Sequence, residues 1–307
     1  MNQNRFLLLL LLLFSSTMSF TPCVRAQNGI VVFQTDFGLK DGAVSAMKGV
    51  AMGVSGDLKL FDLTHEIPAY NIWEAAYRLE QTAVYWPKGT VFVSVVDPGV
   101  GTERKSVVLK TKSGHFFVTP DNGTLTLVAE SLGIDEVREI DEATNRRKNS
   151  EKSYTFHGRD VYAYTAARLA AKKITFADIG KKLLAKVVGI DYQKPTFDKG
   201  AAMGNIPILD VQYGNIWTNI DADTFKKLKI AFGEQVSVTI MQGDKVVFSG
   251  QMPYSRTFGA VPEGSNLCYL NSLMCFSIAI NMGNFSEKNQ VFSGPEWTIT
   301  LKKIAND

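Results

Sequence analysis

Aspartates stand at the ends of apolar runs four times, in Thr35-Asp36-Phe37-Gly38, Asp62-Leu63-Thr64-His65-Glu66, Asp97-Pro98-Gly99-Val100-Gly101 and Pro120-Asp121-Asn122-Gly123. A carboxylate in such a place can bind a hydroxyl or orient a base. In open α/β sheets ligands settle beyond the carboxyl ends of the strands, so four such turns can line one crevice. Taken singly, Asp97-Pro98-Gly99 and Asp121-Asn122-Gly123 also read as ordinary turn formers. Three histidines are present, and none has the i, i+4 partner or Cys-x-x-Cys companions of a zinc site, so no metal is expected. His115 follows a Ser-Gly turn and is expected at the surface. His65, beside Glu66, suits either orienting a loop or reacting. His157, in Thr155-Phe156-His157-Gly158-Arg159-Asp160, immediately precedes a helical pattern, and Gly158 permits close backbone approach. A neutral imidazole there can accept a proton; the alternative is a histidine satisfied by loop carbonyls.

The elements that must position these residues are legible from periodicity. From Gly29 to about Gly189 short apolar runs alternate with amphipathic stretches, which predicts an α/β domain, a sheet with helices on both faces, over 29–190. Asn71 and Glu74 form a capping box for a helix whose buried stripe is Ile72, Ala75, Ala76, Leu79 and Ala83. The run from Thr90 to Val96 is almost continuously apolar, as in a strand covered on both faces. Residues 191–205, rich in Pro, Gly and polar side chains, read as a linker, and 206–305 as an all-β, barrel-like domain of short strands separated by turns. Asp36-Phe37-Gly38 shares its letters with the magnesium-binding triplet of protein kinases, but no Gly-rich phosphate loop or catalytic-loop pattern accompanies it. A P-loop and a dinucleotide fingerprint are also absent.

The first 26 residues carry Arg5, an apolar run from Phe6 to Phe14 and small residues at Val24 and Ala26, the pattern of a secretory signal peptide cleaved before Gln27. The chain is therefore expected outside the cytoplasm, periplasmic or secreted. No other segment is long and apolar enough to span a membrane. Loss of Arg5 and Arg25 takes the formal charge from +3 to 3 − 2 = +1, which gives no reason to expect nucleic acid or an anionic membrane as partner. Of three cysteines, Cys23 leaves with the signal; Cys268 and Cys275 are expected either as a disulfide or as two buried thiols on neighbouring strands.

Seven blocks in series, VVFQTDFGLKDGAVSAMKGV, DLTHEIPAYNIWEAAYRL, VSVVDPGVGTERKSVV, FVTPDNGTLTLV, TFHGRDVYAYTAARLA, QYGNIWTNI and VPEGSNLCYLNS with IAINMGN, resemble the S-adenosylmethionine hydroxide adenosyltransferase family, relatives of fluorinase and chlorinase. The resemblance runs from about Ile30 to Asn284 and implies hydrolysis of S-adenosyl-L-methionine to adenosine and methionine without a cofactor. It further implies a homotrimer whose sites lie between the N-terminal domain of one subunit and the C-terminal domain of its neighbour. The implied catalytic set is Asp97, Arg104 and His157. Implied substrate contacts are Asp36 with Asp41 nearby for ribose, Tyr70 over the substrate, Asp210 and Asn215 with the aromatic neighbours Tyr213 and Trp217, and Ser272 for the methionine carboxylate. Here the chain departs from its relatives, reading Ser272-Leu273-Met274 where they carry Ser-Arg-Gly or Ser-Ser-Gly. Two other readings fit the same pocket: a halogenase acting at the same carbon, and an exported nucleoside-binding protein without turnover.

Overall fold

The computed structural model describes residues 28–304; the expected signal peptide lies outside the described residues. Side chains alternate faces along a strand, so a strand covered on both sides is largely apolar on both. In β1 (Ile30–Thr35) Val31 and Phe33 enter a core with Met47 and Ala51, whereas Val32 enters another with Leu79 and Phe92. The first core is roofed by α1 (Ala43–Val54) and later by a helix at Tyr164–Ala170. The second is roofed by α2 (Ile72–Ala83) and α3 (Thr126–Leu132). Helices thus cover both faces, as expected. The remaining strands are β2 (Lys59–Thr64), β3 (Val91–Val95), β4 (Ser106–Thr111), β5 (Phe116–Pro120) and β6 (Ile134–Glu139), in sheet order β2-β1-β3-β5-β4-β6. Pairings are parallel except at β4, which runs against its neighbours β5 and β6. After β6 come the single turn α4 (Glu142–Asn145), a π-helical turn at Gly158–Ala163 and α5 (Tyr164–Ala170).

The Asn71 side chain accepts the Glu74 N–H at 2.9 Å, as the capping box requires. Leu79 is fully buried on α2. Leu79→Ala should cost about 2–5 kcal/mol, from lost transfer energy plus a residual cavity, read as a lower urea midpoint.

The C-terminal part is not a closed barrel. β7 (Thr196–Asp198), β8 (Ala201–Asn205), β11 (Gln235–Gln242), β12 (Lys245–Pro253) and β15 (Trp297–Lys303) form one sheet, ordered β12-β11-β15-β8-β7. β9 (Ile208–Asp210), β10 (Asn215–Asp221), β13 (Asn266–Leu270) and β14 (Cys275–Ile280) form another, ordered β13-β14-β10-β9. Both are antiparallel and share a core that includes Val238, Ile299, Ile216 and Phe276. The chain changes sheet at Ile206-Pro207, between β8 and β9. Proline has no N–H to continue a ladder, so the sheets meet there without joining. The segment expected as a linker contains the β7–β8 hairpin, and β8 pairs with β15 inside the larger sheet. Its polar composition reflects a short exposed edge strand and the Lys199-Gly200 turn.

Cys268 and Cys275 are both free thiols; Cys268 faces Ile278 in the β13–β14 register, three residues away from Cys275. Burial raises the Cys275 thiol to about 11. The two domains meet where Trp73 Nε1 donates to the Pro207 carbonyl at 2.9 Å and Trp73, Tyr77 and Leu127 pack on Ile208. Among the described residues no helix is long and apolar enough to cross a membrane.

Candidate active site

The strand directions decide which loops meet. Parallel β1, β2, β3 and β5 deliver their carboxyl ends to one edge of the sheet, and reversed β4 starts there, with Ser106 opposite Pro120. Arg104 therefore arrives at that edge although it precedes its strand. β6 ends at the same edge, with Glu139 opposite Val107, and brings α4 with it. Between β1 and β3 the strand order reverses, the place where open α/β sheets bind ligands. A crevice of about 240 Å³ lies there, lined by Asp36, Phe37, Tyr70, Asp97, Phe156 and His157 among others.

Asp97 and Arg104 form a two-point ion pair, Nε to Oδ1 at 2.8 Å and Nη2 to Oδ2 at 2.5 Å, with side chains only 4% and 13% exposed. Burial works against the Arg104 charge, but the Asp97 hydrogen bond and the charges around it prevail and push its pKa up. Ser106 Oγ takes a further Arg104 N–H at 3.0 Å and lies 3.1 Å from the hydroxyl of buried Tyr162. Burial, reinforced by the Asp97 charge, raises the Tyr162 pKa, so the phenol stays neutral.

Asp36 Oδ2 accepts the Tyr70 N–H at 2.9 Å. Tyr70 is held at φ 67°, a conformation unfavourable for a bulky side chain, and its ring is 72% exposed beside the crevice. His65 is buried and orients a loop. Its Nε2 meets Asp62 Oδ1 at 2.9 Å, and its Nδ1 meets Thr35 Oγ1 at 2.8 Å, which also takes the Phe37 N–H. Held from both ring nitrogens, His65 pins the Asp36 turn to the end of β2.

His157 is 4% exposed. Its Nε2 lies 3.0 Å from Arg146 Nη2 and 3.5 Å from Glu142 Oε2, and its Nδ1 is buried with no protein partner. Arg146 Nη2 also donates to Glu142 Oε2 at 2.6 Å, and the Arg146 guanidinium lies over the Tyr154 ring; its Nη1 is likewise unpartnered. Asp160, next in the motif, is taken up by structure. Burial opposes its charge, but Arg159 and Arg147 outweigh that and hold its carboxyl below the usual range.

Models of this family match residues 31–180, as the SAM hydroxide adenosyltransferase N-terminal domain, and residues 204–298, as its C-terminal domain. The chain belongs to the SAM hydroxide adenosyltransferase family. It is 41% identical over 203 residues to a (R)-S-adenosyl-L-methionine hydrolase of Methanocaldococcus jannaschii, covering 64% of this chain and 70% of that protein. It is 26% identical to a fluorinase of Actinopolyspora mzabensis, covering 88% and 97%. The crystal structure of an uncharacterized conserved protein from Thermotoga maritima superposes with a TM-score of 0.79 at 35% identity, covering 89% of this chain and all of that one.

For this member of the family, the residues expected at the site fall into two separate groups. Asp36, Tyr70, Asp97 and His157 line the crevice, with Arg104 behind Asp97. Asp41 is exposed outside that lining, its Oδ1 accepting the Ala43 N–H at the start of α1. A second groove of about 560 Å³ is lined by C-terminal residues including Tyr213, Asn215, Phe258, Met282 and Asn284. Asn215 Nδ2 donates to Asp210 Oδ2 at 3.2 Å across a turn closed by Gly214 at φ 66°, where a β-carbon would overlap the Asn284 side chain. Trp217 instead packs in the cluster between the domains. Ser272 is exposed in the β13–β14 turn, while the groove takes Ile280 at the other end of β14, about 17 Å along a strand from Cys275.

Two expectations need correction. His115 is buried, with Nε2 against the Trp86 carbonyl and Nδ1 against Ser113 Oγ, because the β4–β5 turn folds onto Trp86. The Pro120–Gly123 turn does not line the crevice; Asn122 Nδ2 ties it to the Val96 carbonyl and Asp121 Oδ1 takes the Val188 N–H. Sequence reading missed Arg146 and Glu142, although their i, i+4 spacing in Glu142-Ala143-Thr144-Asn145-Arg146 was a usable signal. Among the described residues no group of three His, Cys, Asp or Glu is placed to hold a metal ion.

Proposed function

We propose that this protein hydrolyses (R)-S-adenosyl-L-methionine to adenosine and L-methionine by attack of water on the ribose 5′-carbon. The observation that carries this reading is the convergence of Asp36, Asp97 and His157 in one crevice, with Arg104 paired to Asp97 behind it. A sulfonium leaves as a neutral thioether and needs no general acid, so the protein has only to place and polarise a water. In this reading Asp36 holds the ribose with Asp41 at the rim, Tyr70 covers it, and Asp97, Arg104 and His157 surround the water. Asp210, Tyr213, Asn215, Trp217 and Ser272 serve the adenine and methionine ends, and no cofactor takes part. The configuration at sulfur follows the names of the hydrolase relatives. Incubation with each sulfonium epimer in oxygen-18 water tests the reaction: adenosine labelled at the 5′-hydroxyl and unlabelled methionine are expected, chiefly from the (R) epimer. A 5′-halogenated nucleoside formed in chloride or fluoride would favour the halogenase reading, and binding without products the nucleoside-binding one.

The assembly is proposed as a homotrimer in which the crevice of one copy meets the C-terminal groove of the next. A pocket of about 240 Å³ is below the roughly 300–1,000 Å³ usual for a ligand of this size, and it shares no lining residue with the second groove. Tyr70, Tyr213 and Met282 are exposed around the two, as unfinished halves of one site would leave them. Light scattering should report a trimer; a monomer with full turnover would refute the shared site. Export is proposed from residues 1–26, and sequencing the secreted protein should find Gln27 first.

A further inference from the structure

We infer that His157 acts as a neutral hydrogen-bond donor through Nδ1, locked in that tautomer by Arg146 and Glu142, and that the proton of the attacking water goes to Asp97. The inference rests on the proposed hydrolysis for its chemistry, but its structural half stands on the ring's own contacts. Arginine has donors only. One Nη2 hydrogen of Arg146 goes to Glu142 and the other faces His157 Nε2 at 3.0 Å, so that nitrogen must offer its lone pair. The 3.5 Å approach of Nε2 to Glu142 is too long to compete for it. A proton on Nε2 would set two donors against each other, and an imidazolium would set two cations in contact in a buried place. The ring is faced by Arg146 and Glu142 from the α4 segment, Tyr154 from the preceding loop, Tyr162 from the following helix and Asp97 across the crevice. Of these Arg146 makes the shortest polar contact with the ring, 3.0 Å at Nε2 against 3.5 Å for Glu142. The neutral ring therefore carries its proton on Nδ1, the buried atom without a protein partner. His157 lines the crevice, and we assign that N–H an acceptor there, a water oxygen or a substrate atom.

This arrangement suits the reaction without a strong base. As the water oxygen bonds to C5′, the C5′–S bond breaks with its electron pair remaining on sulfur, and the attacking oxygen becomes strongly acidic. A carboxylate then suffices to take the proton, which Asp97 later passes to solvent; adenosine, methionine and one proton are the products. Asp97 spends one lone pair of each oxygen on Arg104 and retains others for the water. Arg146 and Glu142 are positioning residues: they touch His157 and neither lines the crevice.

Long-range proton–nitrogen correlation on histidine-labelled protein reads the tautomer directly, whether or not any substrate is turned over. His157 should carry its proton on Nδ1 and not on Nε2, and Arg146→Ala should abolish that preference while Arg146→Lys largely retains it. In turnover, Arg146→Ala should lower kcat on the order of 10- to 100-fold with KM within a few-fold. His157→Asn, whose amide N–H can stand where Nδ1–H stood, should retain at least about tenfold more activity than His157→Ala. An Nε2-protonated ring or an imidazolium in the unaltered protein would overturn the assignment. Equal losses in His157→Asn and His157→Ala would overturn the donor role. Absence of any adenosine release from the unaltered protein would instead strike the proposed hydrolysis and leave the tautomer result standing.

Discussion

His157→Ala should lower kcat for adenosine release by about 10² to 10³ while affinity for adenosine stays within a few-fold. The size follows from losing the contact assigned to fix the attacking water against C5′, in a site that excludes competing water. The ring is 4% exposed and packed against Tyr154 and Tyr162, so its removal leaves a gap that solvent can enter, while Arg146 keeps its bond to Glu142. Affinity should hold because the adenosine contacts are assigned elsewhere, to Asp36 and to the Asp210–Asn215 turn. Steady-state kinetics with isothermal titration of adenosine check both halves. Unchanged kcat would remove His157 from the chemistry and leave Asp97 and Arg104 to act alone.

Asp97→Asn carries a double penalty. The amide can still accept the Arg104 Nε–H on one side, but on the other it presents N–H to N–H, and the buried guanidinium loses its counter-charge. Stability should fall by about 3–5 kcal/mol, the usual cost of breaking a buried pair from one side, and turnover by about 10² to 10⁴. The two effects separate in a double variant. Asp97→Leu with Arg104→Met replaces both charges by apolar groups, and urea unfolding should recover most of the stability while adenosine release stays at the level of Asp97→Asn. Recovery of turnover along with stability would mean that the pair only holds the loop and does not handle the water.

Some of this molecule is written locally. The Asn71 cap on the Glu74 N–H and the buried stripe through Ala75, Ala76, Leu79 and Ala83 depend on residues three or four apart and are present as read, whereas Glu74 pairs with Arg78 instead of completing the box and Ile72 is half-buried. The almost continuously apolar run of β3 is buried along its length, because a strand roofed on both faces keeps a polar side chain only where it is hydrogen-bonded, as Ser94 is to Gln34. The seven blocks resemble the family because they hold the turns at the strand ends together with the starts of the strands and helices that position them. What sequence left undetermined depends on pairing between distant segments. Whether the C-terminal strands close into a barrel rests on hydrogen bonds between their edges, and Pro207 sends the chain from one sheet to the other without them. The β7–β8 hairpin was hidden by a polar composition that an edge strand tolerates. His115 follows a turn yet is buried, since its cover comes from Trp86, 29 residues earlier. Arg146 and Glu142 reach His157 only because β4 runs backwards and β6 returns the chain to the edge where β1 and β3 end. Residue types fix which protons this site can carry, whereas the folded sheet decides which nitrogen of His157 meets Arg146 and which is left for the crevice.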